Sequence, residues 1–250
     1  MNNITTLITG GGGMLGESLK KFLPNAIYID SRDEFDLTKR SNEISSLNDN
    51  EKFNLIIHCA AYTDLSFCEK NEDLAFKLHS EIIPDLQKSS KKLIYISTNP
   101  TNSKKVYYKS KKSGEQNVLK REDDLVIRTN IYGNGGLIKW AYDSLIKQKE
   151  IYGYEDVLFN PVYVDQLSEI ISGKLDFMTG ILSIGSSSCM TKYDFIKLFA
   201  KLKNLDTSLV RSTQKMKDKN LIVPFEGNHL KVNLMDGLLK LIENENIFYS

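Results

Sequence analysis

The chain has 250 residues, 41% hydrophobic and 26% charged, which is ordinary globular composition with enough length for a sizeable core. Its formal net charge of +1 leaves no global field to hold nucleic acid or an acidic membrane. Three scattered cysteines (Cys59, Cys68, Cys189), no bilayer-length apolar run and no signal-peptide pattern lead to an expected soluble, cytoplasmic protein without a metal site.

Residues 4–10, ITTLITG, read as a buried strand. It runs straight into TGGGGMLGESL, where Gly10, Gly13 and Gly16 have the spacing G-x-x-G-x-x-G. A glycine loop between a strand and a helix lets backbone approach a pyrophosphate and aims helix N–H groups at it. Gly10, Gly13, Met14, Leu15 and Gly16 are therefore expected to bind a dinucleotide. The second strand, AIYID at 26–30, ends at Asp30, Ser31 and Arg32, where an adenosine ribose is expected. Asp30 favours NAD by accepting from a ribose hydroxyl. Arg32 favours NADP by pairing with a 2′-phosphate, and the balance leans slightly to NADP.

Further strands are read at 54–60 (NLIIHCA), 92–98 (KLIYIST) and 125–129 (LVIRT), with helical spacing in the segments between. This alternation predicts an α/β fold, a Rossmann-type doubly wound parallel sheet with helices on both faces. After Thr129, NIYGNGG reads as a turn-rich break. Beyond it come a helix in GGLIKWAYDSLIKQ, the extended piece FNPVYV, and a helix in DQLSEIISGKL. GILSIGSSS follows as a strand, and MTKYDFIKLFAKLKNL as an amphipathic helix capped by Thr191. The expected division is a nucleotide-binding domain at 1–131, to which 157–172 returns, and a smaller interleaved C-terminal substrate lobe in 132–250.

The segment KKVYYKSKKSGEQ, 104–116, raises the question of chemistry. Twelve Tyr and 28 Lys give about one Tyr-x-x-x-Lys match by chance, and three occur: Tyr107–Lys111, Tyr108–Lys112 and Tyr193–Lys197. Tyr193 falls on the later amphipathic helix and suits packing. The other two follow the strand ending at Thr98, where ligands of an open parallel sheet sit. Residues four apart on a helix share a face, so a Tyr and a Lys there can converge on one carbonyl. The phenol supplies a proton, a lysine cation lowers its pKa, and a threonine hydroxyl orients the carbonyl. Lys104, Lys105, Lys109 and Lys112 read as a solvated basic face.

These pieces together resemble the extended short-chain dehydrogenase/reductase family, and within it the dTDP-4-dehydrorhamnose reductases and related sugar-nucleotide reductases. TGGGGMLG, EFDLT, HCAAYTDLSFCE, ISTN, YYKSKKSGE, VIRTNIYG, FNPVYVDQLSEII and GILSIGSSSCMTKYDFIKLFA match family segments in order over nearly the whole chain. The resemblance implies reduction of a nucleotide-activated 4-keto-sugar with NADPH or NADH. Gly114-Glu115 sets the register, which puts Thr98, Tyr107 and Lys111 at the catalytic positions and Tyr108 at a usual glycine. Asp36, Leu37, Cys59, Ala60, Ala61, Tyr62 and Lys111 fall at cofactor positions. Thr63, Thr98, Asn130 and Asn160 fall at substrate positions. The partner implied is the nucleotide sugar, and the family's frequent dimers make a homodimer an option.

The chain departs from the family in places. Asn99-Pro100 replaces Asp-Tyr, and the loop from Thr98 to Tyr107 is short. His58-Cys59 stands for Asn-Ala, Ser66 for Asp and His79 for Asn, and PFEGNHL is a faint match to a substrate segment. Two other activities stay open: a sugar-nucleotide epimerase or dehydratase using Cys59, Cys68, His58 or His79, and a cofactor-binding regulatory subunit with little catalysis.

Overall fold

The computed structural model describes residues 5–30, 32–49, 51–99, 103–175, 177–214 and 229–244. In chain order the first elements are β1 (Thr6–Thr9), α1 (Met14–Phe22), β2 (Ile27–Ile29), α2 (Leu37–Arg40), β3 (Phe53–His58), α3 (Leu65–Lys70) and α4 (Glu72–Phe76). A π-helical turn, Lys77–Glu81, leads to α5 (Ile83–Lys88), β4 (Ser90–Thr98), α6 (Val106–Val118) and β5 (Leu125–Tyr132). Then come α7 (Gly136–Leu145), β6 (Ile151–Tyr154), β7 (Leu158–Phe159), β8 (Pro161–Tyr163), α8 (Val164–Lys174) and β9 (Gly180–Ser186). The last are β10 (Met190–Thr191), α9 (Lys192–Leu202), β11 (Val210–Thr213), β12 (His229–Val232) and α10 (Leu234–Glu243).

Contacts divide the chain into two units. The first comprises Met1–Thr98, Ser103–Arg128 and Ser168–Ser183; the second comprises Asn99–Asn102, Thr129–Leu167 and Ile184–Ser250.

In the first unit the strand order is β2-β1-β3-β4-β5-β9. The pairings Leu7↔Ile27, Ile8↔Ile57, Ile57↔Ile94 and Ile127↔Leu182 are all parallel. Ile8, Ile57, Ile94 and Ile127 are completely buried, as expected for strands covered on both faces. One apolar cluster joins Leu7, Phe53, Ile56, Leu93, Tyr95 and Val126 to Leu37, Leu78, Ile82, Ile83 and Leu86. Burial of each such side chain stabilises the fold by roughly 1.5–3 kcal/mol. Strand order reverses between β1 and β3, which makes the carboxyl ends of those strands the expected ligand crevice.

In the second unit, β8 pairs in parallel with the end of β5 (Asn130↔Pro161, Tyr132↔Tyr163). β11 pairs in parallel with β6, and β10 pairs antiparallel with β7. Ala141 and Leu145 of α7 pack with Ile196 and Ala200 of α9 over Ile151 and Val210. Thr191 caps α9, its Oγ1 accepting from Asp194 N at 3.0 Å. The expected break after Thr129 comes later: Asn130-Ile131-Tyr132 extends β5 because β8 offers it a pairing edge. Among the described residues, no helix is long and apolar enough to cross a membrane, and no cluster of three or more His, Cys, Asp or Glu suits a metal.

Candidate active site

Gly10, immediately after β1, has φ +73°, the left-handed region open to glycine. A Cβ there would meet Ala60 N at 2.7 Å, so the loops after β1 and β3 touch through bare backbone. A Cβ on Gly16 would run into Gly10 O and the Gly11 backbone, so α1 closes directly on the loop. Gly13 is the N-cap of α1, is exposed, and brings no side chain to cap it. The positive end of a nine-residue helix is thus left open beside exposed Gly12 and Gly13. Met14 is half-buried and Leu15 buried in its first turn. This glycine cradle, placed at the strand-order reversal, fits the pyrophosphate of a dinucleotide.

At the end of β2 the two residues with opposed cofactor preferences each have a partner. Asp30 Oδ2 takes a 3.1 Å salt bridge from Lys20, which also holds Glu17 at 3.0 Å. Exposed Arg32 donates from Nη1 to Tyr62 Oη at 2.9 Å, its guanidinium 5.2 Å from the ring centroid. Asp36 caps α2, its Oδ1 accepting from Thr38 N at 3.0 Å and Thr38 Oγ1 at 2.6 Å. Those bonds hold its carboxyl below the usual range. Leu37 is buried in the core cluster. Ser31 lies outside the described residues.

Helix α6 carries the Tyr-Lys segment. Lys105 offers no side-chain cap, and Glu69 Oε1 instead accepts from Val106 N at 2.8 Å. Val106, Ser110, Lys111, Gly114, Glu115 and Val118 form its buried face at helical spacing. A Cβ on Gly114 would collide with His79 O and approach Tyr95 Oη at 2.5 Å, so glycine permits this close packing. The short loop does not part the expected pair: Tyr107 and Thr98 are joined by a side-chain hydrogen bond. Burial raises the Tyr107 pKa, Tyr108 and Cys68 add to the rise, and the Thr98 bond opposes it.

Lys111 is 3% exposed. Its Nζ donates to Ile96 O at 2.6 Å and stands 4.2 Å from the Tyr95 ring centroid. Desolvation lowers its pKa to about 7, against the raising effects of Glu115 and Cys59. The expected depression of Tyr107 by a neighbouring lysine cation is therefore not what this structure holds: the phenol is raised by burial, and Lys111 points to the end of β4. Tyr108 packs edge-on against Tyr107 with centroids 5.1 Å apart. Of the three Tyr-Lys pairs, Tyr193–Lys197 is in direct contact, with Nζ 2.8 Å from Oη on an exposed face.

The two histidines considered for acid–base work are core residues. His58 is fully buried between Thr9 Oγ1, 2.7 Å from Nδ1, and Leu78 O, 3.1 Å from Nε2. The carbonyl only accepts, so Nε2 carries the proton and Nδ1 accepts from Thr9. Desolvation lowers its pKa to about 3. His79 Nε2 accepts from Tyr62 N at 2.9 Å, which leaves Nδ1–H to donate to Ser110 Oγ at 2.8 Å. Ser110 donates onward to Tyr107 O at 3.0 Å. Burial lowers the His79 pKa to about 2. His79, read from the sequence only as an acid–base candidate, and Ser110, not singled out there, thus tie the loop after β3 to the helix of Tyr107. The only sequence signal was His79 at a usual asparagine position. Cys59 is half-buried, and burial pushes its thiol up to about 12.

The substrate candidates differ. Thr63 is exposed. Asn160 is buried and its Nδ2 donates to Ser186 O at 3.3 Å, so that amide is committed to the fold. Asn130 Nδ2 is buried without a partner, and so are both polar atoms of Asn99. Ala61 is half-buried beside Tyr62.

The family model described as the RmlD substrate binding domain matches residues 4–220. The chain belongs to that family. Among the relatives of this RmlD-type chain is the spore coat polysaccharide biosynthesis protein SpsK of Bacillus subtilis. It is 24% identical over 236 residues, covering 83% of this chain and 82% of its own. A dTDP-4-dehydrorhamnose reductase of Mycobacterium tuberculosis H37Rv is 28% identical over 202 residues, covering 68% of this chain and 65% of its own. Among solved structures, dTDP-4-dehydrorhamnose reductase of Bacillus anthracis in complex with NADP has a TM-score of 0.83 at 23% identity. It covers 97% of this chain and 99% of its own, and shares the fold.

Proposed function

We propose that this RmlD-family chain is an NADPH-preferring reductase of a nucleotide-activated 4-keto-sugar. One observation carries the reading: the Thr98–Tyr107 hydroxyl pair closes the end of β4 and Lys111 is buried one helical turn along. The relatives named as dTDP-sugar reductases support the substrate class. The asymmetric cradle of Gly10, Gly13 and Gly16 supports the cofactor, and Arg32, with Asp30 already neutralised by Lys20, supports the 2′-phosphate. The second unit is proposed to carry substrate contacts.

When bound, the reduced nicotinamide supplies the hydride. Thr98 orients the substrate carbonyl through its hydroxyl. Tyr107 stays protonated at neutral pH because burial raises its pKa, so Oη holds the proton that the developing alkoxide takes. Lys111, its pKa lowered to about 7, carries charge in its protonated fraction, and that charge offsets the phenolate left behind. His79 and Ser110 hold the backbone of Tyr107 in place. His58 and His79 commit their ring nitrogens to the fold, and burial raises the Cys59 and Cys68 thiols, which weighs against the epimerase alternative.

The test uses cofactor deuterated at the transferable position, dTDP-4-keto-6-deoxy sugar, and product analysis. Deuterium at sugar C4 with stoichiometric NADPH oxidation is the expected result. Solvent-derived label without cofactor consumption would replace the reductase with an epimerase.

A further inference from the structure

Asp30 follows β2 with its carboxylate pressed against the glycine loop. A Cβ on Gly11 would collide with Asp30 Oδ1, and one on Gly12 would meet Asp30 O at 3.0 Å. Gly11 N donates to Ile29 O at 2.8 Å, which fixes this strand end to the loop. An acidic group here accepts from the ribose of NAD, and its charge opposes a 2′-phosphate on the same ribose. Asp33 and Glu34 follow, both exposed, and Glu34 Oε2 accepts from Asp30 N at 3.1 Å. On charge alone, Arg32 is outnumbered by the three carboxylates of this segment.

The balance comes from another element. Lys20, on α1, donates to Glu17 Oε1 at 3.0 Å and to Asp30 Oδ2 at 3.1 Å. Its Nζ lies 5.5 Å from the ring centroid of Tyr28, on the strand that Asp30 follows. The bonds to Glu17 and Asp30 raise the Lys20 pKa, so the amine stays charged. The side chains of Lys20 and Asp30 are 33% and 40% exposed, and an ion pair so open to water adds little to stability. Its consequence is local: one oxygen of Asp30 is occupied and the charge of the carboxylate is offset. Lys20 lies outside both segments from which the sequence reads cofactor preference, 10–16 and 30–32.

We propose that Lys20 is a specificity-determining residue for the cofactor. By holding Asp30 it converts an NAD-type strand end into one that accepts the 2′-phosphate of NADPH, with Arg32 as the phosphate's partner. Lys20 acts through Asp30 and is a positioning residue. This deepens the reductase reading and rests on its dinucleotide cofactor.

The test reads binding, not turnover. Kd values for NADPH, NADH, 2′,5′-ADP and 5′-AMP are titrated for wild type, Lys20→Met, Lys20→Arg, Asp30→Asn and the double variant Lys20→Met/Asp30→Asn. Lys20→Gln repeats the measurement if Lys20→Met fails to fold. Lys20→Met is expected to lower the preference for NADPH over NADH about tenfold, the scale of one uncompensated charge at a partly exposed site. It weakens 2′,5′-ADP relative to 5′-AMP by a similar factor. Lys20→Arg keeps the preference, and Asp30→Asn keeps or raises it. In the Asp30→Asn background, Lys20→Met changes the preference by less than about twofold, because no carboxylate remains to be offset. A preference unchanged by Lys20→Met overturns the proposal. An equal loss in the Asp30→Asn background also overturns it, since Lys20 then acts without Asp30. A wild type that binds a dinucleotide but reduces no keto-sugar overturns the reductase reading, while the titrations still decide the role of Lys20. A wild type that binds neither dinucleotide overturns both.

Discussion

The Tyr107 phenol is hydrogen-bonded to the Thr98 hydroxyl, although only eight residues separate them in the chain and the loop between is short. The last residue of β4 and the first turn of α6 therefore present two hydroxyls as one unit. If this pair orients and protonates a carbonyl, Thr98→Val keeps the side-chain shape and loses the function. Its kcat is expected to drop about 100-fold, in the range for removing one positioned donor. Thr98→Ser keeps the hydroxyl and most of the rate. Steady-state kinetics at saturating cofactor check both.

Lys111 makes a second prediction, in which stability and activity move apart. Its folded pKa of about 7 lies below the unfolded value of 10.5. Between those values the unfolded chain binds a proton that the native chain does not, so this group makes stability rise with pH. Cys59, raised above its ordinary 9.0, acts in the opposite sense only above that pH. Urea midpoints measured from pH 7 to 9 are expected to climb in wild type and to lose that component in Lys111→Met. The same variant loses kcat/KM, since the buried Lys111 amine has gone.

Acid should weaken the fold through its two buried imidazoles. His58 and His79 have folded pKa values of about 3 and about 2, against an unfolded 6.5. Below 6.5 the unfolded chain takes up both protons and the native chain neither, so stability falls as pH drops toward 3. Each contributes a slope of about 1.4 kcal/mol per pH unit. Replacing His79 with Asn removes one of the two. Urea titrations across this range should show a slope smaller by about one proton.

Glu115 joins the helix to the sheet through Arg128, with Nη2–Oε2 at 2.6 Å and the carboxylate side chain 7% exposed. It also accepts from Ser97. Glu115→Gln leaves a largely buried guanidinium without its countercharge. The expected loss is about 3–5 kcal/mol, read as a lower urea midpoint with an unchanged slope.

What could be read from the sequence had a local cause. The glycine spacing reports backbone contacts at Gly10 and Gly16 that any side chain would block. The apolar runs report strands buried on both faces, and Thr191 reports a cap whose partner is three residues away. Tyr107 was separated from Tyr108 by the position of Gly114, whose missing side chain lets α6 meet His79 O. Tertiary partners were not legible. Nothing local sends Lys111 to Ile96 O, or places His79 between Tyr62 and Ser110. The strand at 130–132 looked like a turn because its pairing edge, β8, comes some thirty residues later. Asn99 looked like a lost aspartate, and only its burial without partners marks it.

The central claim is that Tyr107 gives the proton during reduction of a nucleotide keto-sugar. The most direct measurement follows NADPH absorbance with dTDP-4-dehydrorhamnose for wild type, Tyr107→Phe and Tyr108→Phe, with cofactor binding titrated by fluorescence. Wild type should consume NADPH, and Tyr108→Phe should stay within about twofold of it. Tyr107→Phe should lose at least about 100-fold in kcat while binding NADPH normally. Turnover by Tyr107→Phe at the wild-type rate would contradict the account.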